Sequence, residues 1–164
     1  MLKRSQLHDY QKRVIEQAKS TQHIGLFMEC GLGKTPTALT IMAEQYEGCT
    51  LIIAPKKIAE SVWVEEAANW EHLKHLKISK CLGTPKERLA AIKQPSDAVI
   101  VNLENLVWLL EQGVKFDNLV IDESSRFKDP NTKRFKSLKK HIKTPENKSK
   151  IVLNDFKLIL CFYR

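Results

Sequence analysis

An α/β fold with a mainly parallel sheet and helices on both faces is what the 164-residue sequence predicts. Short apolar runs alternate with amphipathic stretches along most of the chain, the pattern of consecutive βαβ units. Two of the runs end in motifs suited to phosphate and metal, and such sheets place their ligands at the carboxyl ends of strands. At this length the chain suits a single domain that buries roughly two thirds of its unfolded surface.

Taken in order, the first helix is expected at 10–19, before the apolar run Ile24-Gly25-Leu26-Phe27-Met28 that reads as a strand. A helical pattern at 34–46 follows, with Pro36 in the first turn, where its missing N–H costs little. Strands are expected at 50–54, 76–81, 98–101 and 118–121, with a weaker sixth at 150–153. Between them lie helix patterns at 58–70, 85–93 and 104–112, and another at 133–141. The sequence has no internal repeat and no long flexible linker.

Between the first strand and its helix stands Glu29-Cys30-Gly31-Leu32-Gly33-Lys34-Thr35. Strand, glycine loop and helix in that order make a phosphate cradle, because unsatisfied N–H groups at a helix start and the helix dipole both favour an anion. Gly31 and Gly33 allow close backbone approach, Lys34 can reach the β- and γ-phosphates of ATP, and the Thr35 hydroxyl can ligate Mg2+. The usual G-x-x-x-x-G-K-[ST] pattern (Walker A) has glycine where this chain has Met28.

The strand at 118–121 ends in Asp122-Glu123. Asp122 can hold the magnesium through its coordination shell, and Glu123 can orient and deprotonate an attacking water. In isolation such a pair is more often a solvated turn. With the glycine loop upstream, the two motifs form both halves of an ATP site.

The ordered set Leu7-x-x-Tyr10-Gln11, Met28 to Thr35, Ile52-Ile53-Ala54-Pro55 and Asp122-Glu123-Ser124-Ser125-x-Phe127-Lys128 resembles the amino-terminal, RecA-like P-loop NTPase lobe of helicase superfamily two. Within it, the chain is most similar to Swi/Snf-type DNA-dependent ATPases, particularly compact bacteriophage-encoded ones, over about residues 5 to 145. The resemblance implies that Gln11 reads the adenine edge with Tyr10 beside it. It implies that Lys34 and Thr35 hold phosphate and magnesium, and that Asp122 and Glu123 hold metal and activate water. Ala54-Pro55-Lys56 resembles a segment that tracks a nucleic-acid backbone, with Lys57 next to it, and Val101-Asn102-Leu103-Glu104 a strand-to-helix junction on the same side.

Two departures stand out. The box reads Asp-Glu-Ser-Ser where the family more often has Asp-Glu-Ala-His. After Leu153 the family continues with Thr-Gly-Thr-Pro and a second lobe, whereas this sequence has Asn154-Asp155-Phe156 and a mostly apolar octamer. The expected organisation is therefore a helicase-type ATP-binding lobe over 1–150 and an unmatched apolar tail over 151–164.

Charge is unevenly placed. The chain carries a formal +8, and residues 126–150 alone contain ten Lys or Arg against two acids. This excess suits contact with a phosphate backbone, and it also suits a solvated lysine-rich helix. The resemblance favours DNA, contacted without regard to base sequence through Arg126, Lys128, Lys133, Arg134, Lys136, Lys139 and Lys140, with Lys56 and Lys57 as a further contact.

Four cysteines, Cys30, Cys49, Cys81 and Cys161, show neither metal spacing nor a disulfide framework, and the start Met1-Leu2-Lys3-Arg4 is no secretory signal. A reducing, intracellular setting in the cytoplasm, at a nucleoid or in a phage-infected host, is the expectation. The longest late apolar run is six residues, 158–163, too short to span a membrane. His72-x-x-His75 lacks a partner for zinc, and Trp63, Trp70 and Trp108 on apolar helical faces suit a core.

Two functions follow from the resemblance. One is the ATP-binding lobe of a DNA-dependent ATPase of helicase or translocase type, using ATP and Mg2+ and completed by a second lobe on another chain. The other is a remnant of a truncated or frame-disrupted helicase that binds ATP and DNA without useful hydrolysis.

Overall fold

The computed structural model describes residues 1–21, 23–29, 31–123, 127, 129–142 and 157–162. Helix α1 (Asp9–Lys19) leads into β1 (His23–Phe27), followed by α2 (Lys34–Gln45), β2 (Thr50–Ala54), α3 (Trp63–Asn69) and β3 (Ile78–Cys81). The second half contains α4 (Pro85–Lys93), β4 (Ala98–Asn102), α5 (Leu106–Glu111), β5 (Asn118–Ile121), α6 (Lys133–Ile142) and β6 (Lys157–Phe162). The sheet order is β1-β6-β5-β2-β4-β3, with every neighbouring pair parallel.

The winding decides where the helices lie. From β1 through β2 to β3 the chain steps one way across the sheet, and through β4 and β5 to β6 it returns. Right-handed crossovers place outgoing helices on one face and returning helices on the other. Burial agrees: residues of α1, α2 and α3 pack with Ile52, Ala54, Ala98, Ile100 and Val120. On the opposite face, residues of α4, α5 and α6 pack with Leu51, Ile53, Val99, Val101, Leu119 and Ile121. Side chains alternate along a strand, so a strand covered on both faces must be apolar throughout. That is why β2, β4 and β5 read as continuous apolar runs. Ile52 and Ile53 are both 0% exposed, one on each face. Each such burial stabilises by about 1.5–3 kcal/mol.

Helix α4 starts where its sequence directs. The Glu87 carboxylate accepts from the Thr84 backbone N–H at 2.7 Å and Thr84 Oγ1 accepts from Glu87 N at 3.4 Å, with Pro85 in the first turn. Elsewhere the expected bounds shift. The helix expected over 58–70 opens as a π-helical segment, Ile58–Val62, before α3. The strand expected from residue 76 starts at Ile78, because the Leu76 N–H still closes a turn on the Leu73 carbonyl at 3.0 Å. The helix expected from residue 104 starts at Leu106, since Asn105 N bonds the Asn102 carbonyl at 3.1 Å in a tight turn. The strand expected over 150–153 lies outside the described residues, and Lys157–Phe162 in the apolar stretch beyond it forms β6. That strand sits between β1 and β5.

Parallel strands put all their carboxyl ends at one edge. The loop after β1, the Pro55-Lys56-Lys57 junction after β2, the Leu103-Glu104 turn after β4 and the Asp122-Glu123 pair after β5 therefore share an edge. Among the described residues, no helix is long and apolar enough to cross a membrane.

Candidate nucleotide site and basic surfaces

The loop after β1 is shaped by two glycines in left-handed backbone, Gly31 with φ 81° and Gly33 with φ 72°. Gly33 caps α2, and a Cβ on it would meet the Gln11 Nε2 at 2.5 Å. The left-handed backbone therefore favours glycine there, and a Cβ would displace the Gln11 amide. Lys34, the first residue of α2, is 5% exposed, and its ammonium donates to the carbonyls of Met28 at 2.7 Å and Glu29 at 2.9 Å. The cation is thus held inside the curve of the loop. Thr35 is half-buried in the same turn, and Pro36 is buried. Cys30 lies outside the described residues.

Helix α1 braces this loop. Gln11 is 3% exposed; its amide donates to the Gly33 carbonyl at 3.1 Å and to Thr37 Oγ1 at 3.0 Å, and its Oε1 accepts from the His8 N–H at 2.8 Å. The Thr37 hydroxyl also donates to Gly33 O at 2.7 Å, and the Tyr10 hydroxyl donates to Leu32 O at 3.1 Å. Gln11, singled out from the sequence as the reader of adenine, is seen bonded to the glycine loop itself.

The acidic pair follows β5, separated from β1 only by β6. Two strand spacings put the two loops about 10 Å apart. Asp122 is 2% exposed, with its N–H on Ile53 O at 2.8 Å and its Oδ2 accepting from Trp63 Nε1 at 3.3 Å. Glu123 is half-buried and has φ 57°, the one non-glycine residue with positive φ among those described. That backbone costs about 1–2 kcal/mol relative to an ordinary one. A hydroxyl at Thr35 and a carboxylate at Asp122 are hard oxygen donors of the type Mg2+ takes. The glycine loop, Lys34 and the start of α2 supply the donors and positive charge that a triphosphate needs. The residues present fit Mg·ATP.

The cations fall into two groups. Lys56 and Lys57 are exposed at the carboxyl edge, Lys56 lying 3.9 Å from Glu60 one turn on. On α6, Leu138 is buried against the α4–α5 face, while Lys133, Lys136, Lys139 and Lys140 are exposed and Arg134 is half-buried. Lys133, Lys136 and Lys140 share one helix face by their spacing, and with Asn131 and Ser137 they line a shallow groove of about 420 Å³. Lys133 lies 3.9 Å from Glu111. Arg126 and Lys128 lie outside the described residues.

Several polar contacts escaped sequence reading. Arg88, 9% exposed, donates to Asn105 Oδ1 at 2.6 Å and stacks its guanidinium 4.1 Å from the Trp108 ring, a cation–π pair between α4 and α5. Asn102 at the end of β4 donates to Glu104 at 2.6 Å. Trp63 and Trp70 are buried, as their apolar faces suggest, yet the indole N–H of Trp63 reaches Asp122 and that of Trp70 reaches Glu66 at 3.1 Å. His72 shares a hydrogen bond of 3.0 Å with Thr40 Oγ1. No pattern of spacing announces the Arg88–Asn105, Thr40–His72 and Trp63–Asp122 contacts, whose partners lie 17, 32 and 59 residues apart.

A helicase-type α/β lobe is the class that this sheet order and these loops define. The model of the family described as DEAD/DEAH box helicase matches residues 8–154, and the chain belongs to that family. It is similar to "Putative protein p41" of Acyrthosiphon pisum secondary endosymbiont phage 1, 34% identical over 128 residues that cover 73% of this chain and 28% of that protein. In fold it matches the structure of the Sulfolobus solfataricus SWI2/SNF2 ATPase core in complex with dsDNA, with a TM-score of 0.69 over 96% of this chain and 31% of that one, at 23% identity. The chain thus spans under a third of the length of either relative.

Proposed function

We propose that this chain is the ATP-binding lobe of a DNA-dependent ATPase of helicase or translocase type, and that efficient hydrolysis needs a second lobe. The observation that carries this reading is the pairing, at one edge of the sheet, of the Gly31-to-Thr35 loop with Asp122 and Glu123. On this reading the N–H groups at the start of α2 and the Lys34 ammonium bind the β- and γ-phosphates, with Lys34 exchanging its loop carbonyls for phosphate oxygens. Thr35 and Asp122 hold Mg2+, which when bound neutralises phosphate charge. Glu123 sits next to Asp122 and orients the attacking water. Gln11 keeps the loop in shape through Gly33 and Thr37, and its adenine contact belongs to the bound state.

DNA binding is proposed on the exposed cations of α6 and on Lys56 and Lys57, in line with the dsDNA in the SWI2/SNF2 complex. A phosphate backbone is the partner such cations fit, and the affinity is independent of base sequence. A second lobe is proposed because the relatives are more than three times as long as the region matched. It would supply the positive charge that accelerates phosphoryl transfer. ATP turnover with and without duplex DNA, in the presence and absence of the remainder of a full-length relative, tests this reading. Turnover that DNA never stimulates, even with the second lobe supplied, would reject it.

A further inference from the structure

We propose that Trp63 is a positioning residue for Asp122, fixing the carboxylate that takes Mg2+; this rests on the nucleotide-site reading above. The Trp63 Nε1–H donates to Asp122 Oδ2 at 3.3 Å, across 59 residues of sequence, joining the start of α3 to the end of β5. Trp63 is 0% exposed and Asp122 is 2% exposed, so water does not compete for this bond. A buried carboxylate needs donors, and the indole N–H is a donor only, suited to the ionised oxygen.

The placement is specific. The backbone of Asp122 is pinned to β2 through Ile53 O at 2.8 Å, and its carboxylate is then oriented by a ring that is itself locked in the core. Removing a group that orients a metal ligand typically costs about 10–100-fold in metal affinity. Trp63 follows directly on the π-helical segment Ile58–Val62. A wider turn changes the face from which the following side chains project, and such turns recur at functional sites.

Trp63→Phe keeps an aromatic ring in the core and removes the N–H. ATP binding by the full chain, measured by calorimetry once with Mg2+ and once with EDTA, separates the metal-dependent part from the rest. The variant is expected to lose about tenfold or more of the metal-dependent part, with binding in EDTA retained. A folded variant with wild-type metal dependence overturns the proposal and leaves the nucleotide site standing. A wild-type chain that binds ATP under neither condition overturns the nucleotide reading and this inference with it. Should Trp63→Phe not fold, the wild-type chain still decides the matter. Indole 15N–1H signals, assigned through Trp70→Phe and Trp108→Phe, are recorded on the ATP-saturated chain before and after Mg2+ is added. The Trp63 signal is expected to move while the Trp108 signal stays, and an unmoved Trp63 signal overturns the proposal.

Discussion

The Gln11 amide donates to the Gly33 carbonyl at 3.1 Å, tying the first helix to the residue at which the glycine loop becomes α2. Gly33 has a left-handed φ of 72°, and a Cβ there would displace the Gln11 amide. Gly33→Ala should therefore cost stability twice, through backbone strain and through displacement of Gln11. A loss of about 1–3 kcal/mol is expected in a urea titration. Gln11→Ala leaves Gly33 O with the Thr37 hydroxyl, so its cost should be nearer about 1 kcal/mol. A Gln11→Ala variant as stable as the wild type would mean that the loop is not shaped by this contact.

Glu123 occupies left-handed backbone with φ 57° directly after the buried Asp122. Glu123→Gly relieves that strain while adding chain entropy to the unfolded state, so a net change of roughly zero to 1 kcal/mol in favour of folding is expected. Hydrolysis should be lost in the same variant and in Glu123→Gln. For the 164-residue polypeptide alone, turnover should already be very slow, because a positive group supplied from elsewhere is worth roughly a thousandfold or more. Turnover near one per second (roughly the low end for phosphoryl-transfer enzymes) that Glu123→Gln abolishes would show that this polypeptide carries all it needs.

Acid should act in two stages. Burial lowers the pKa of His72 and of His141 below 6.5, so the folded protein resists protons that the unfolded chain accepts. That stability is present above pH 6.5 and is lost as pH falls below it. The Glu44 carboxyl is held below its usual value by its hydrogen bond to Arg4, so its contribution is present above pH 4.5 and fades as pH falls further. Urea midpoints measured against pH should decline first below about 6.5 and again below about 4.5. His141→Phe should weaken only the first decline. In the other direction, burial pushes the Cys81 thiol up to about 11, so Cys81 should resist thiol reagents at pH 8 in the folded protein.

DNA binding should be weak, indifferent to base sequence and steeply salt-dependent. With Lys139 and Lys140 both exposed on α6, replacing the pair by Ala should reduce the slope of log affinity against log salt by roughly two. An unchanged slope would move the contact to Lys56 and Lys57. Absence of binding even at low salt would make α6 a solvated surface.

What was legible in the sequence was whatever depends on local pattern. The continuous apolar runs of β2, β4 and β5 announce strands covered on both faces, and Thr84-Pro85-x-Glu87 announces the start of α4. Gly31 and Gly33 could be placed at a helix start because left-handed backbone there favours glycine. The Trp63–Asp122 and Arg88–Trp108 contacts depend on which helix crosses which strand end, and that is set by packing. The π-helical segment before Trp63 has an ordinary amphipathic sequence, so its wider turn could not be read from periodicity. The Lys157–Phe162 stretch is apolar enough for a strand, but its place between β1 and β5 is a property of the whole sheet.

The nucleotide site is tested most directly by the melting curve of the intact chain with and without Mg·ATP. A ligand that binds only the folded state stabilises it by about 2.7 kcal/mol at a hundredfold excess over its dissociation constant. Lys34 bonds the Met28 and Glu29 carbonyls in the structure and is expected to release them for phosphate, so Lys34→Ala should abolish most of the shift. A clear upward shift for the wild type, lost in Lys34→Ala and reduced in EDTA, is the expected result. A wild-type melting curve unmoved by saturating Mg·ATP, and identical to that of Lys34→Ala under the same conditions, would contradict it.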